Sequence, residues 1–154
     1  MSVAASTAYA PAGRSATAAR AGLVLVGAAQ AEIGIWGVIA PHSLFREYPG
    51  FGHHWISALG TYNEHLIRDY AAAELGFAVL LVAAAVWFEQ RLVLVAGAAF
   101  LAATLPHFAY HLTTIDSFAT GDDIASLAGF ALEIAVVGAA MRVVTRRRDE
   151  DRRN

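Results

Sequence analysis

Residues 92–113 read LVLVAGAAFLAATLPHFAYHLT, an almost unbroken apolar run that ends with two histidines. At a rise of about 1.5 Å per residue, a helix of this length crosses roughly 30 Å of lipid hydrocarbon. His107 and His111 are four residues apart, so their imidazoles lie on one face of that helix. A histidine inside such a run must satisfy two ring nitrogens away from water, which indicates a functional site.

Three further apolar runs of similar length extend over about residues 20–40, 69–88 and 124–144. The chain of 154 residues is 57% hydrophobic and only 16% charged, and its mean hydropathy is +0.49. These values are typical of an integral membrane protein rather than a soluble domain. Glycine and alanine occur in every run and allow helices to approach closely. The sequence therefore predicts an all-α fold, a transmembrane antiparallel four-helix bundle.

The segments around these runs predict the organisation of the chain. Residues 1–19 are rich in Ala, Ser and Thr without an apolar period, and we interpret them as a disordered cytoplasmic tail. Residues 20–145 form the transmembrane domain, in which Pro41 ends the first helix. Residues 42–68 combine aromatic side chains with Gly and Pro, which favours an outer loop at the membrane–water interface. Residues 146–154 form a basic cytoplasmic tail.

The arginines predict the orientation of this multi-pass protein in the cell membrane. All eleven basic residues are Arg; Arg14 and Arg20 precede the first run, Arg91 lies between the second and third, and six crowd the C-terminus. Because arginines accumulate on the cytoplasmic side, both termini should be cytoplasmic, and all six histidines should lie at or just below the outer face. The C-terminal arginines then contact anionic lipid of the bilayer, and the pattern does not favour nucleic acid as a partner.

The residue types exclude several kinds of site. The chain contains no cysteine, which excludes disulfides, thiolate metal sites, iron–sulfur clusters and cysteine nucleophiles. Glycine-rich phosphate loops, a serine nucleophile elbow and the His-Glu-x-x-His metalloprotease motif are absent from the sequence. Any metal must therefore be bound by imidazole, carboxylate or backbone oxygen.

Three acidic residues, Glu32, Glu74 and Glu133, lie inside apolar runs. From the helix rise, each lies about 8 to 13 Å below the outer end of its helix, at the same depth as His107. Charges that face lipid are costly, so we expect these groups to converge inside the bundle. Two interpretations stay open. The acids are alternative ligands or proton-coupling groups, or they are neutral side chains that hold the helices together by hydrogen bonds.

A second pair of potential ligands lies just above this layer, where His65 and Asp69 are also four residues apart. If the helix has begun there, this pair can face His107 and His111 and complete a shell of three imidazoles and one carboxylate. Such a shell suits Zn, Fe, Mn or Cu. His65 and Glu74 are nine residues apart and point to opposite sides of a continuous helix, so only one of them joins the interior. Polar packing and a proton relay are the alternatives to ligation.

Haem is an alternative cofactor, because His107 and His111 resemble axial-ligand positions. Two residues one turn apart cannot bind opposite faces of one macrocycle. His65 or His54 would therefore have to supply the second axial ligand.

Three segments form a signature: FREYPGFGHHW at 45–55, YNEHLIRD at 62–69 and PHFAYHLT at 106–113. With their YNEHLxRD and PHxxxH patterns they resemble motifs of small uncharacterised four-helix integral membrane proteins from high-GC Gram-positive bacteria. The similarity covers about residues 34–123 and carries no established activity. The functional positions that the resemblance implies are His54, Asn63, Glu64, His65, Arg68, Asp69, His107, His111 and Asp116. Glu32, Glu74 and Glu133 lie outside this pattern.

The function that we expect is metal binding in an outward-facing site formed by His65, Asp69, His107 and His111. His54, Asn63, Arg68 and Asp116 would support or replace these ligands. One hypothesis is a membrane metalloenzyme acting on a lipophilic or quinone-like substrate, with Glu64 as the general base in a hydrolytic version. The others are a metal- or haem-binding accessory subunit of a membrane complex or homo-oligomer, and a proton-coupled small-molecule carrier.

Overall fold

The computed structural model describes residues 13–115 and 119–151, with the backbone alone for 147–151. These residues form five helices and no strand, so the all-α prediction is confirmed. The helices are α1 (Arg14–Ile39), α2 (Pro41–Glu47), α3 (Glu64–Trp87), α4 (Gln90–Thr113) and α5 (Thr120–Asp151). Four of them, α1, α3, α4 and the Thr120–Arg146 part of α5, are long and apolar enough to cross a membrane.

Helix α1 begins at Arg14, earlier than the sequence indicated. Residues 14–19, which we predicted to belong to a tail, form its first turns because Ala16 and Ala19 are buried against the neighbouring helices. Alanine also has the best intrinsic helix propensity. The rest of the predicted tail, residues 1–12, lies outside the described residues.

The predicted outer loop contains regular structure at both ends. Pro41 is the first residue of α2, a position where its missing N–H costs nothing, and α2 packs on α1 and α3. Helix α3 begins at Glu64 because the Asn63 side chain accepts a hydrogen bond from the Leu66 N–H at 3.1 Å. The irregular connection is thus limited to residues 48–63, which we call the 48–63 loop.

The largest helix interface joins α1 to α3. Along it Gly27, Gly34 and Gly37 of α1 face the α3 backbone. A Cβ on Gly34 would lie 2.6 Å from Leu75 Cγ and 2.9 Å from the Ala71 carbonyl oxygen. The absence of side chains is therefore what lets the two helices come this close.

A dry core fills one half of the bundle. It joins the N-terminal halves of α1 and α4 to the C-terminal halves of α3 and α5. Its largest buried members are Leu23, Leu81, Val93, Phe100 and Val137. At its edge Arg20 donates to the Val86 carbonyl at 3.2 Å and lies over the Phe88 ring, which closes the end of α3.

The outer surface of the four long helices is also apolar. Leu25, Val79, Val95 and Leu132, one from each helix, are 65% to 71% exposed. Helices that are apolar on both the packed and the exposed side are typical of membrane spans. The other half of the bundle, away from the dry core, contains the polar groups.

Candidate functional site

A cavity of about 820 Å³ occupies this second half of the bundle. All four long helices and the 48–63 loop contribute to its wall, which is mostly apolar and aromatic. Cavities of this size and character bind drug-sized or cofactor-sized molecules in other proteins. The polar side chains that line it are Gln30, Tyr48, Trp55, Tyr70, Glu74, Thr104, His107, Tyr110, His111, Ser126 and Glu133.

His107 and His111 form a contacting pair in the cavity wall, as their spacing predicted. Their Nε2 atoms are 3.2 Å apart, so one imidazole donates an Nε2–H to the unprotonated Nε2 of the other. The Phe130 ring of α5 packs on both imidazoles, with centroids 4.8 Å from His107 and 5.1 Å from His111. Tyr70 of α3 meets His107 edge-on at 6.2 Å. Three helices therefore hold the pair in place.

Two carboxyl groups line the cavity from opposite helices. Glu74 of α3 is 8% exposed, and the Tyr70 side chain interacts with it from one turn earlier. Glu133 of α5 accepts a hydrogen bond from Gln30 Nε2 of α1 at 2.9 Å. Gln30 is only 4% exposed and was missed by the sequence analysis. The sequence did contain a signal for Gln30, because an amide side chain within an apolar run needs a hydrogen-bond partner inside the bundle.

The 48–63 loop closes one end of the cavity. The backbone N–H of Trp55 donates to the Tyr48 carbonyl at 2.9 Å, and the two rings meet edge-on at 6.0 Å. Burial, followed by the charge of Glu133, raises the pKa of Tyr48 to about 12, so its hydroxyl stays protonated at neutral pH. His53 contacts Asp122 of α5 at 2.8 Å and ties the loop to the far side of the bundle.

The second predicted ligand pair lies elsewhere. His65 Nε2 is 3.2 Å from an Asp69 carboxylate oxygen, but the two side chains are 88% and 63% exposed and do not line the cavity. Because Glu74 occupies the inward face of α3, residues nine positions earlier point outward. Across the described ranges, no three His, Asp or Glu side chains are grouped to hold a metal ion. The structure thus forms two separate pairs rather than one shell of four.

The remaining signature residues have structural contacts at the end of the bundle. Arg68 donates to Glu64 at 2.9 Å and to the Val38 carbonyl at 2.6 Å, which joins α3 to the end of α1. Asn63 caps α3, and His54 Nδ1 contacts the Arg46 carbonyl. None of these four signature residues, including the expected general base Glu64, lines the cavity.

Glu32 and Asp116 are the two remaining positions that the sequence predicted. Glu32 is exposed on α1, so only two of the three acids within the apolar runs converge on the cavity as expected. Its neighbour Gln30 takes the inward position instead. Asp116 lies outside the described residues.

Comparisons with known proteins assign no relative to this chain. No family model, no curated protein and no solved structure matches it.

Proposed function

We propose that the chain is an integral membrane protein whose cavity binds a lipophilic small molecule. In this proposal the four long helices form an antiparallel transmembrane bundle with both termini in the cytoplasm, and the cavity opens towards the outer half of the bilayer. The observation that carries the proposal is the cavity itself, about 820 Å³ with mainly apolar walls and polar groups in pairs. Apolar walls match a lipophilic body, and the polar pairs orient its head.

The apolar exterior supports the same proposal. A ligand that reaches the cavity from the bilayer is concentrated in lipid, so it must itself be lipophilic. Substrate binding by a membrane enzyme, by a carrier or by an accessory subunit would all use this cavity. The binding step is common to the three and can be tested alone.

Filling the cavity with a side chain tests the proposal. Gly129 lines the cavity on α5, while Gly138 on the same helix does not, and a Cβ at either position meets no atom within 4 Å. Gly129→Phe should remove a lipophilic molecule that co-purifies with the wild type, as measured by solvent extraction and mass spectrometry. Gly138→Phe should retain it. Equal retention by the two folded variants, or no bound molecule in the wild type, would contradict the proposal.

A metal site at His107 and His111 is the second candidate function. Two imidazole nitrogens at 2.0–2.1 Å from one tetrahedral ion lie about 3.3 Å apart, close to the observed 3.2 Å. The bound molecule or water would complete the coordination.

Elemental analysis of protein purified without chelators tests this candidate. About one Zn, Fe, Mn or Cu per chain is expected, and His107→Ala or His111→Ala should remove it, whereas His65→Ala should not. A haem version predicts a Soret band lost in the same two variants. Loss of metal in His65→Ala would restore the four-ligand shell expected from the sequence. A metal-free, colourless wild type would exclude both forms of the site.

A further inference from the structure

We propose that the molecule taken up by this cavity is a lipophilic cation, an apolar body that carries an ammonium-type charge. The inference rests on the proposed binding function and adds the charge class of the ligand. It follows from three properties of the cavity: its charged groups, the position of those groups and the nature of the surrounding walls.

The cavity is lined by two carboxyl groups, those of Glu74 and Glu133, and by no arginine among the described residues. The chain contains no lysine. Arg68, the one arginine of α3, already donates to Glu64 and to the Val38 carbonyl. The only basic side chains among the described lining residues are His107 and His111, whose Nε2 atoms share a hydrogen bond with each other. An anionic ligand would thus meet two carboxyl groups without an arginine to compensate them.

The two carboxyl groups are held by other residues rather than paired with a charge. Gln30 supplies one neutral N–H to Glu133, and the neutral Tyr70 side chain interacts with Glu74. A carboxylate has about four acceptor positions, so each group retains capacity for a ligand. Both side chains line the same cavity, Glu74 from α3 and Glu133 from α5.

The walls around the carboxyl groups are rich in aromatic rings. Tyr48, Trp55, Tyr70, Phe77 and Phe130 all line the cavity, on three different elements. The faces of such rings attract an organic cation, and Tyr and Trp do so even when it cannot donate a hydrogen bond. Carboxylates combined with aromatic walls therefore favour a cation with an apolar shell over a neutral molecule of equal size.

The competing explanation is that both carboxyl groups are protonated and act only as neutral hydrogen-bonding groups. Glutamine has nearly the same shape as protonated glutamic acid and carries no charge. Glu74→Gln and Glu133→Gln therefore distinguish the two explanations, since a neutral role survives the substitution and a charge role does not. Glu89→Gln is the matched control, because Glu89 is exposed between α3 and α4 and does not line the cavity.

The experiment measures binding of tetraphenylphosphonium and tetraphenylborate, two ions of the same shape and opposite charge, to purified full-length protein by equilibrium dialysis in one detergent. Gly129→Phe protein in the same detergent gives the micelle background. Saturable binding of tetraphenylphosphonium above that background is expected, without binding of tetraphenylborate. Glu74→Gln and Glu133→Gln should each weaken it at least tenfold, and Glu89→Gln should leave it unchanged.

Three outcomes overturn the inference. They are equal binding of the two ions, wild-type binding by both glutamine variants, and no saturable binding of the cation. If a molecule still co-purifies with wild type and is lost from Gly129→Phe, the binding function stands and only the charge class is wrong. If no molecule co-purifies either, the binding function itself fails.

Discussion

At the scale of single residues, six of the polar side chains that line the cavity occur as pairs on different helices or adjacent turns. Gln30 meets Glu133, Tyr70 meets Glu74, and His107 meets His111. Pairing is required because an unsatisfied polar group away from water costs more than the bond itself contributes. The pairs therefore both hold the helices together and fix the direction in which their remaining donors and acceptors point.

The Gln30–Glu133 contact leads to a stability prediction. Gln30→Leu should destabilise the protein by roughly 1–2 kcal/mol, because the Glu133 side chain then lacks its donor. Adding Glu133→Leu should recover part of this loss, with a coupling energy of about 0.6–1.7 kcal/mol. Unfolding in mixed micelles at neutral pH measures all four members of the cycle. Strictly additive effects would show that the bond does not contribute to stability.

At the scale of elements, the close approach of α1 to α3 forms the largest helix interface of the bundle. The interface uses glycines on one side and alanines and carbonyl groups on the other. Arginines close the two ends of this pair, Arg20 on the Val86 carbonyl and Arg68 on the Val38 carbonyl. Each arginine satisfies a carbonyl that the end of a helix leaves without an intrahelical partner.

A matched pair of glycine substitutions tests this interface. Gly34→Ala should destabilise the protein by roughly 1–3 kcal/mol, since its Cβ would lie 2.9 Å from the Ala71 carbonyl oxygen on a helix that cannot move freely. Gly76→Ala, on α3 with nothing within 4 Å of a Cβ, should be neutral or stabilise by up to about 1 kcal/mol. Equal effects on thermal unfolding would mean that the interface is looser than described.

At the scale of the whole molecule, the bundle is divided into a dry half and a half that contains the cavity. The four helices each contribute apolar residues to the first half and polar residues to the second. The dry half supplies packing that holds the helices at fixed positions, so the cavity can remain open without collapse. The same four helices therefore form both a packed apolar core and a cavity, in different halves of their length.

The proposed orientation can be tested with single cysteines, because the chain has none of its own. Phe51 is fully exposed in the 48–63 loop. A cysteine at Phe51 should react with an impermeant thiol reagent on intact cells, and one at Asn154 should react only after the membrane is opened. The arginine distribution is the physical basis. The reverse labelling pattern would place the cavity in the cytoplasmic half of the membrane.

The sequence by itself determined the local features. Composition and run length predicted the four long apolar helices, and the i, i+4 spacing predicted that His107 and His111 would meet, because both follow from the geometry of a single helix. The first helix ends before Pro41 as predicted, whereas the starts of α2 at Pro41 and of α3 after Asn63 lie at the edges of the segment that was predicted as a loop. The same helix geometry also predicted that His65 and Glu74 could not both face inward. It did not indicate which of the two would do so.

Only the tertiary structure decided which face of each helix points to the cavity. The rotation of α1 against α3 is set by where its glycines fit, and that rotation turns Gln30 inward and leaves Glu32 exposed. On α3 it is Glu74 that faces the interior, so His65 and Asp69 form a surface pair. When apolar residues surround a helix on all sides, the sequence contains no hydrophobic period from which the buried face can be found; packing between neighbours has to select it.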